Sequence, residues 1–173
     1  MKEEFFDIVD EHGRVIAKAA RSLCHGNPNL VHRTVHVVVY HPDGRLLLQR
    51  RNLTKDIQPG KWDTAVGGHL DCGESFNSAV VRELNEELGI DVPFSDLKHI
   101  FDMKIRNSIE SENIRVYSLI HAGPFNFQLE EIDEVKFWDI DDLKVKIQET
   151  PEIFTPNLID ELYELGILNS ENG

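Results

Sequence analysis

The chain has 173 residues, 40% hydrophobic and 28% charged, which suits one globular domain with its own core. A formal net charge of -13 repels a phosphate backbone and argues against general nucleic-acid binding, yet leaves room for a small phosphorylated ligand bridged by metal ions. The apolar runs are too short to span a bilayer, the acidic start is unlike a secretory signal, and two cysteines, Cys24 and Cys72, imply no disulfide framework, so a cytoplasmic protein with no membrane partner is expected.

Residues 5–20 read as two short strands around a turn at 11–14. Residues 31–40, rich in Val and Thr, predict a strand, 41–44 a turn and 45–51 a returning strand. A polar loop follows over 52–60, then a short extended piece over 62–66 closed by Gly67 and Gly68. The clearest helix covers 75–88, with Gly89 where a C-terminal stop belongs. Later strands are expected at 99–106, 113–121 and 134–138, and helices at 141–148 and 156–165. Strands interleaved with helices at these lengths predict a mixed α/β domain with helices packed on a sheet.

The helix over 75–88 carries the chemistry. At 100° per residue, Glu83, Glu86 and Glu87 share one face, while Val81, Leu84 and Leu88 occupy another that can enter a core. Like charges three and four residues apart weaken an isolated helix by a few tenths of a kcal/mol per pair. Divalent cations offset that repulsion naturally, because hard cations take several oxygen ligands at once. Arg82, four residues before Glu86, is placed to pair with the cluster, and Glu74 stands near the helix N-terminus, where the dipole favours a carboxylate. Gly67 and Gly68 allow the backbone to approach a metal or phosphate closely. A solvated acidic face is the plain alternative for three glutamates taken alone.

The spacing goes further. Gly68, five residues, Glu74, seven residues, then Arg82-Glu83-Leu84-x-Glu86-Glu87-x-Gly89-Ile90 matches the Nudix box at every defined position, and the chain resembles the Nudix hydrolase superfamily over 68–90. That resemblance implies an α/β/α sandwich with a mixed β-sheet. It implies hydrolysis of a diphosphate bond in a small nucleotide-like or related substrate, with Mg²⁺ or Mn²⁺ as cofactor. Carried onto this chain, Glu83, Glu86 and Glu87 would bind metal and do the catalysis, the Gly68 carbonyl would be a further ligand, and Glu74 and Arg82 would support them. Metal neutralises the diphosphate oxygens and acidifies water, and a carboxylate takes the water proton. Glu83 or Glu87 is the first candidate for that base and a loop glutamate the second.

A narrower resemblance is to type 1 isopentenyl-diphosphate isomerases. His25, His32 and His69 fall where those enzymes carry metal-binding histidines, and Glu110-Ser111-Glu112 is similar to their Glu-x-Glu pair. On a strand, Glu110 and Glu112 would share a face. The set implies a second site for Mn²⁺, Zn²⁺ or Mg²⁺. Arg50, Arg51 and Lys55 resemble the isomerase segment whose cations hold the substrate diphosphate. Two positions depart from the pattern: Gly67 stands where the isomerase has its catalytic cysteine, and Glu83 where it usually has arginine. Three readings therefore stay open: hydrolase, isomerase-like enzyme, and non-catalytic diphosphate-binding module. The histidines also read as ordinary loop and strand-end residues, the cations as a solvated stretch, and Trp62 as packing. A zinc set of Cys24, His25, His69 and Cys72 lacks the paired Cys-x-x-Cys spacing. The edge of the N-terminal hairpin is a candidate homodimer contact.

Overall fold

The computed structural model describes residues 2–169. β1 (Phe5–Val9) and β2 (Val15–Ala20) pair antiparallel as the expected hairpin. Asp10 organises the turn by accepting hydrogen bonds from the backbone of His12 and Arg14. Phe6, Ile8 and Val9 are buried, whereas most of β2 is exposed, including Val15 and Ile16. Asp7, also buried, accepts from Arg33 Nη2 at 3.0 Å and from the Gly73 backbone at 2.8 Å, clasping the hairpin to the loop ahead of the main helix. A one-turn helix, α1 (Arg21–Cys24), follows; no hydrophobic period marks so short an element in the sequence.

β3 (His32–Tyr40) is the central strand. It meets β4 (Leu46–Arg51) at Tyr40 and Leu46, and pairs antiparallel with β6 (Val66–His69) along its first half. On its other edge it runs parallel to β8 (Ser111–Ile120) through nine paired positions, His32–Tyr40 against Glu112–Ile120. β4 also pairs with β5 (Trp62–Thr64) and β9 (Ile132–Trp138), and β8 with β7 (Lys98–Arg106). The result is a mixed seven-stranded sheet.

Alternation along β3 sends its side chains to two cores. Val35, Val37 and Val39 pack with Leu84 and Leu88 of α2 (Phe76–Leu88). Val38 packs with Leu143 of α3 (Ile140–Glu149) and with Leu158 and Leu162 of α4 (Pro156–Glu164). Leu84 and Leu88 are fully buried, each worth roughly 1.5–3 kcal/mol relative to exposure. This is the α/β/α arrangement that the resemblance implied. Among the described residues, no helix is long and apolar enough to cross a membrane.

Some boundaries differ from the sequence reading. The segment expected as one piece closed by a glycine pair is two strands, with Gly67 and Gly68 inside β6. Their partners on β3, His36 and Val35, supply the ladder that their weak strand propensity lacks. In α2, Ala79 and Val80 take fully buried positions, while Val81 is half-buried. Gly89 ends the helix at φ 66°, and a side chain there would also collide with Asn126.

Candidate active site

Ser75 caps α2 by accepting from the Ser78 backbone, and the helix then runs past β6. A side-chain carbon at Gly68 would lie 2.1 Å from the Glu83 carboxyl carbon and 2.4 Å from each of its oxygens. Gly68 is therefore the cradle of Glu83, a tighter requirement than the backbone freedom read from the sequence. One turn on, Glu87 Oε2 accepts from Gln49 Nε2 at 2.9 Å and lies 3.4 Å from the Gly67 nitrogen. Gln49 Nε2 also donates to the Ala65 carbonyl at 3.1 Å.

Arg82 gathers the rest of the box. It donates to both Glu74 oxygens at 2.8 Å, to Glu83 at 2.8 Å, to Glu86 at 3.0 Å and to the His69 carbonyl at 3.0 Å. Its hydrogen bonds hold the Glu74 carboxyl below the usual range. Burial pushes Glu83 up to about 7 against the pull of Arg82. Burial, reinforced by the Glu83 charge, pushes Glu87 up to about 8, with Gln49 and the Gly67 amide opposing. No cation pairs with Glu87 among the described residues.

A second group forms on the opposite face of the sheet, where three strands converge. His32 on β3, His69 on β6 and Glu112 on β8 place one ligand atom each within 4.8 Å of the others. Glu112 Oε1 lies 3.1 Å from His69 Nε2 and 3.4 Å from His32 Nε2. His32 Nδ1 lies 3.1 Å from the Leu30 carbonyl, which can only accept, so Nδ1 donates there and Nε2 is the atom turned toward Glu112. Phe6 stacks on both rings, with centroids 5.2 and 4.6 Å away. Burial disfavours the Glu112 charge, but the two imidazoles beside it hold its carboxyl well below the usual range. His25 joins the margin, its ring centroid 5.9 Å from that of His69, and burial lowers its pKa. Among the described residues, the Nε2 atoms of His25 and His32 are buried without a hydrogen-bond partner.

Other candidates are dispersed. Glu110 precedes β8 instead of lying on it, so it does not alternate in register with Glu112; its carboxylate accepts from Asn157 Nδ2 at 3.2 Å. Arg51 donates to the Ile57 carbonyl, lies 3.5 Å from Asp63, and lines a small cleft with Glu110, Thr155 and Asn157. Arg50 turns to Glu134 and Lys55 to Glu131, so the three cations form no single cluster. Cys24 and Cys72 are free thiols outside the His32–His69–Glu112 group. Trp62 packs edge-on against Trp138 in the core. Gln49, which holds Glu87, and Asp63, which lines the cleft with Arg51, carry no motif or period in the sequence that would single them out.

The NUDIX domain model matches residues 30–158. An uncharacterized Nudix hydrolase of Yersinia pestis is 37% identical over 164 residues, covering 92% of this chain and 84% of that protein. Isopentenyl-diphosphate Delta-isomerase 2 of Photorhabdus laumondii is 30% identical over 159 residues, covering 88% of this chain and 87% of its own. Among solved structures, DR0079 from Deinococcus radiodurans superposes with a TM-score of 0.78 at 22% identity, over 93% of this chain and 98% of the other. With a box intact from Gly68 to Ile90 and a family match over most of its length, the chain belongs to the NUDIX domain family, among relatives that include an isopentenyl-diphosphate isomerase.

Proposed function

We propose that the protein hydrolyses a diphosphate bond in a small molecule, with Mg²⁺ or Mn²⁺ held by Glu83, Glu86, Glu87 and the Gly68 carbonyl. The observation that carries this reading is the seating of two acids with raised pKa values, Glu83 and Glu87, against the glycine backbone of β6. Burying carboxylates this close together is costly without a counter-charge, and Arg82 reaches Glu83 but makes no bond to Glu87. The donor set is all oxygen, as a hard divalent cation prefers. When bound, such an ion neutralises phosphate oxygens and acidifies water.

The chain's own residues do the rest. Gln49 and the Gly67 amide both engage Glu87 Oε2, which leaves Oε1 to accept a water proton, so Glu87 is the first choice as base. Arg82 orients Glu83 and Glu86. Arg51, on the cleft wall, is the best placed of the three cations to meet a substrate phosphate. The test is release of phosphate or monophosphate from nucleoside triphosphates, dinucleotides, nucleotide sugars and isoprenoid diphosphates with added metal. Release that survives Glu87→Gln overturns the reading.

The His32–His69–Glu112 group favours a second reading, in which a second cation bound there serves isomerase-like chemistry. Gly67 offers no side chain to protonate an alkene. Absence of deuterium exchange into isopentenyl diphosphate removes this reading.

A further inference from the structure

Behind Gly67 lies a charged pair that the box does not use. His36, in the middle of β3, directs Nδ1 to Glu161 Oε2 of α4 at 2.6 Å. The residues are 7% and 1% exposed, and they stand 125 positions apart in the chain. Replacing a buried ion pair of this kind with apolar residues is often neutral or stabilising, so stability alone is a weak reason for it. The imidazole also lies among further acids, since Asp63 and Glu112 both act on its charge. Burial works to lower its pKa, but Glu161, helped by Asp63 and Glu112, raises it to about 9.

Gly67 is the second half of the observation. It is exposed, it pairs with His36 across the ladder, and its backbone φ does not demand glycine. A methyl group there would meet the His36 ring first, 3.3 Å from Cδ2 and 3.4 Å from Nε2, with Thr64 next at 3.7 Å. What glycine preserves at this position is access to the imidazole edge. Among the described residues, Nε2 has no hydrogen-bond partner, and it is not among the fully buried unpartnered atoms. The same glycine presents its amide to Glu87. An anion seated over Gly67 would therefore meet the box on one side and the imidazole edge on the other.

We propose that Gly67 is a window through which His36 Nε2–H, fixed from behind by Glu161, donates a hydrogen bond to an anionic phosphate oxygen of the substrate. The inference rests on the diphosphate reading of the site, and it makes His36 a substrate-anchoring residue. Arginine and lysine supply such donors elsewhere; here a short, rigid ring on the central strand does so.

The test is calorimetric titration with methylenediphosphonate, a diphosphate analogue that cannot be hydrolysed, in the presence of Mg²⁺. Gly67→Ala covers Nε2 and leaves the ion pair in place. His36→Leu with Glu161→Leu removes the pair without stranding a charge. Each is expected to weaken binding about tenfold or more, the contribution of a hydrogen bond to a charged group. The triple variant should bind no more weakly than the pair replacement, because both changes remove one interaction. Wild-type affinity in the pair replacement, or losses that add in full, overturns the proposal. A measurement on the unaltered protein stands beside these: the analogue should shift the His36 Nε2 nitrogen resonance, and an unmoved resonance at saturation also overturns it. Binding is read without turnover, so a protein that binds the analogue through His36 and hydrolyses nothing upholds this inference while removing the hydrolase reading.

Discussion

Gly68→Ala is the sharpest perturbation of the box, because it adds one methyl group and removes nothing. That methyl would lie 2.4 Å from each Glu83 oxygen. The carboxyl carbon would be closer still, at 2.1 Å, where carbon–carbon contacts are ordinarily about 3.5–4.0 Å, so the carboxylate must retreat by about 1.5 Å. It can do so by rotating the end of a flexible chain, which puts the cost near the low end of the ~1–3 kcal/mol typical of overpacking. For a chain of this size, ~1 kcal/mol lowers Tm by only about 2–4 °C. A displacement of ~1 Å at a group that positions the reaction costs on the order of 100-fold in rate. Gly68→Ala is therefore expected to melt within a few degrees of wild type and to turn over about 100-fold more slowly. The assay is steady-state release on whichever substrate class the panel identifies, beside a thermal melt of the same preparation. A variant with native melting and undiminished turnover would refute the argument that Gly68 exists to seat Glu83.

Other expectations concern charge. The pKa of Glu83 is raised to about 7 in the folded state, so between pH ~4.5 and ~7 the folded protein binds more protons than the unfolded chain. Metal-free protein should lose roughly 3 kcal/mol from this group as pH rises through that window, and Glu83→Gln should flatten that part of the stability profile. Denaturation at several pH values in the presence of chelator checks it; identical profiles for the two proteins would contradict it. Arg82→Ala leaves Glu74 and Glu83 without their main partner and should destabilise by roughly 2–4 kcal/mol. Arg82→Lys should recover little, since one ammonium cannot reproduce the fork that reaches Glu74, Glu83 and Glu86 together. Glu112→Ala should abolish binding of one metal equivalent, measured with Co²⁺ by absorption, and leave the box site titratable with Mg²⁺. Unchanged Co²⁺ stoichiometry would dissolve the second site.

The shared helix face of Glu83, Glu86 and Glu87 was legible from period alone, because one helix carries all three; the role proposed for that face came from the family resemblance. The convergence of His32, His69 and Glu112 came through a family resemblance, and the ladders of β3 with β6 and β8 are what bring the three together. Glu110 escaped the expected alternation because β8 begins only at Ser111 and Asn157 captures its carboxylate. The joint role of Gly67 and Gly68 as strand residues was hidden, since their pairing depends on β3, some thirty residues away. Gln49 and the His36–Glu161 pair were invisible for the same reason: each is defined by a partner on another element, and neither residue type carries a period or a motif.

The hairpin of β1 and β2 ends well before residue 30, where the family match begins. Yet its Phe6 forms the aromatic wall of the His32–His69 group, and its Asp7 fastens the loop before α2. Trimming the chain to the shared domain would strip that wall while leaving every contact of Glu83, Glu86 and Glu87 within the remainder. The two candidate centres thus differ in what completes them: the hydrogen-bond partners of Glu83, Glu86 and Glu87 lie within residues 30–158, whereas the histidine group takes its aromatic wall from a strand ahead of them.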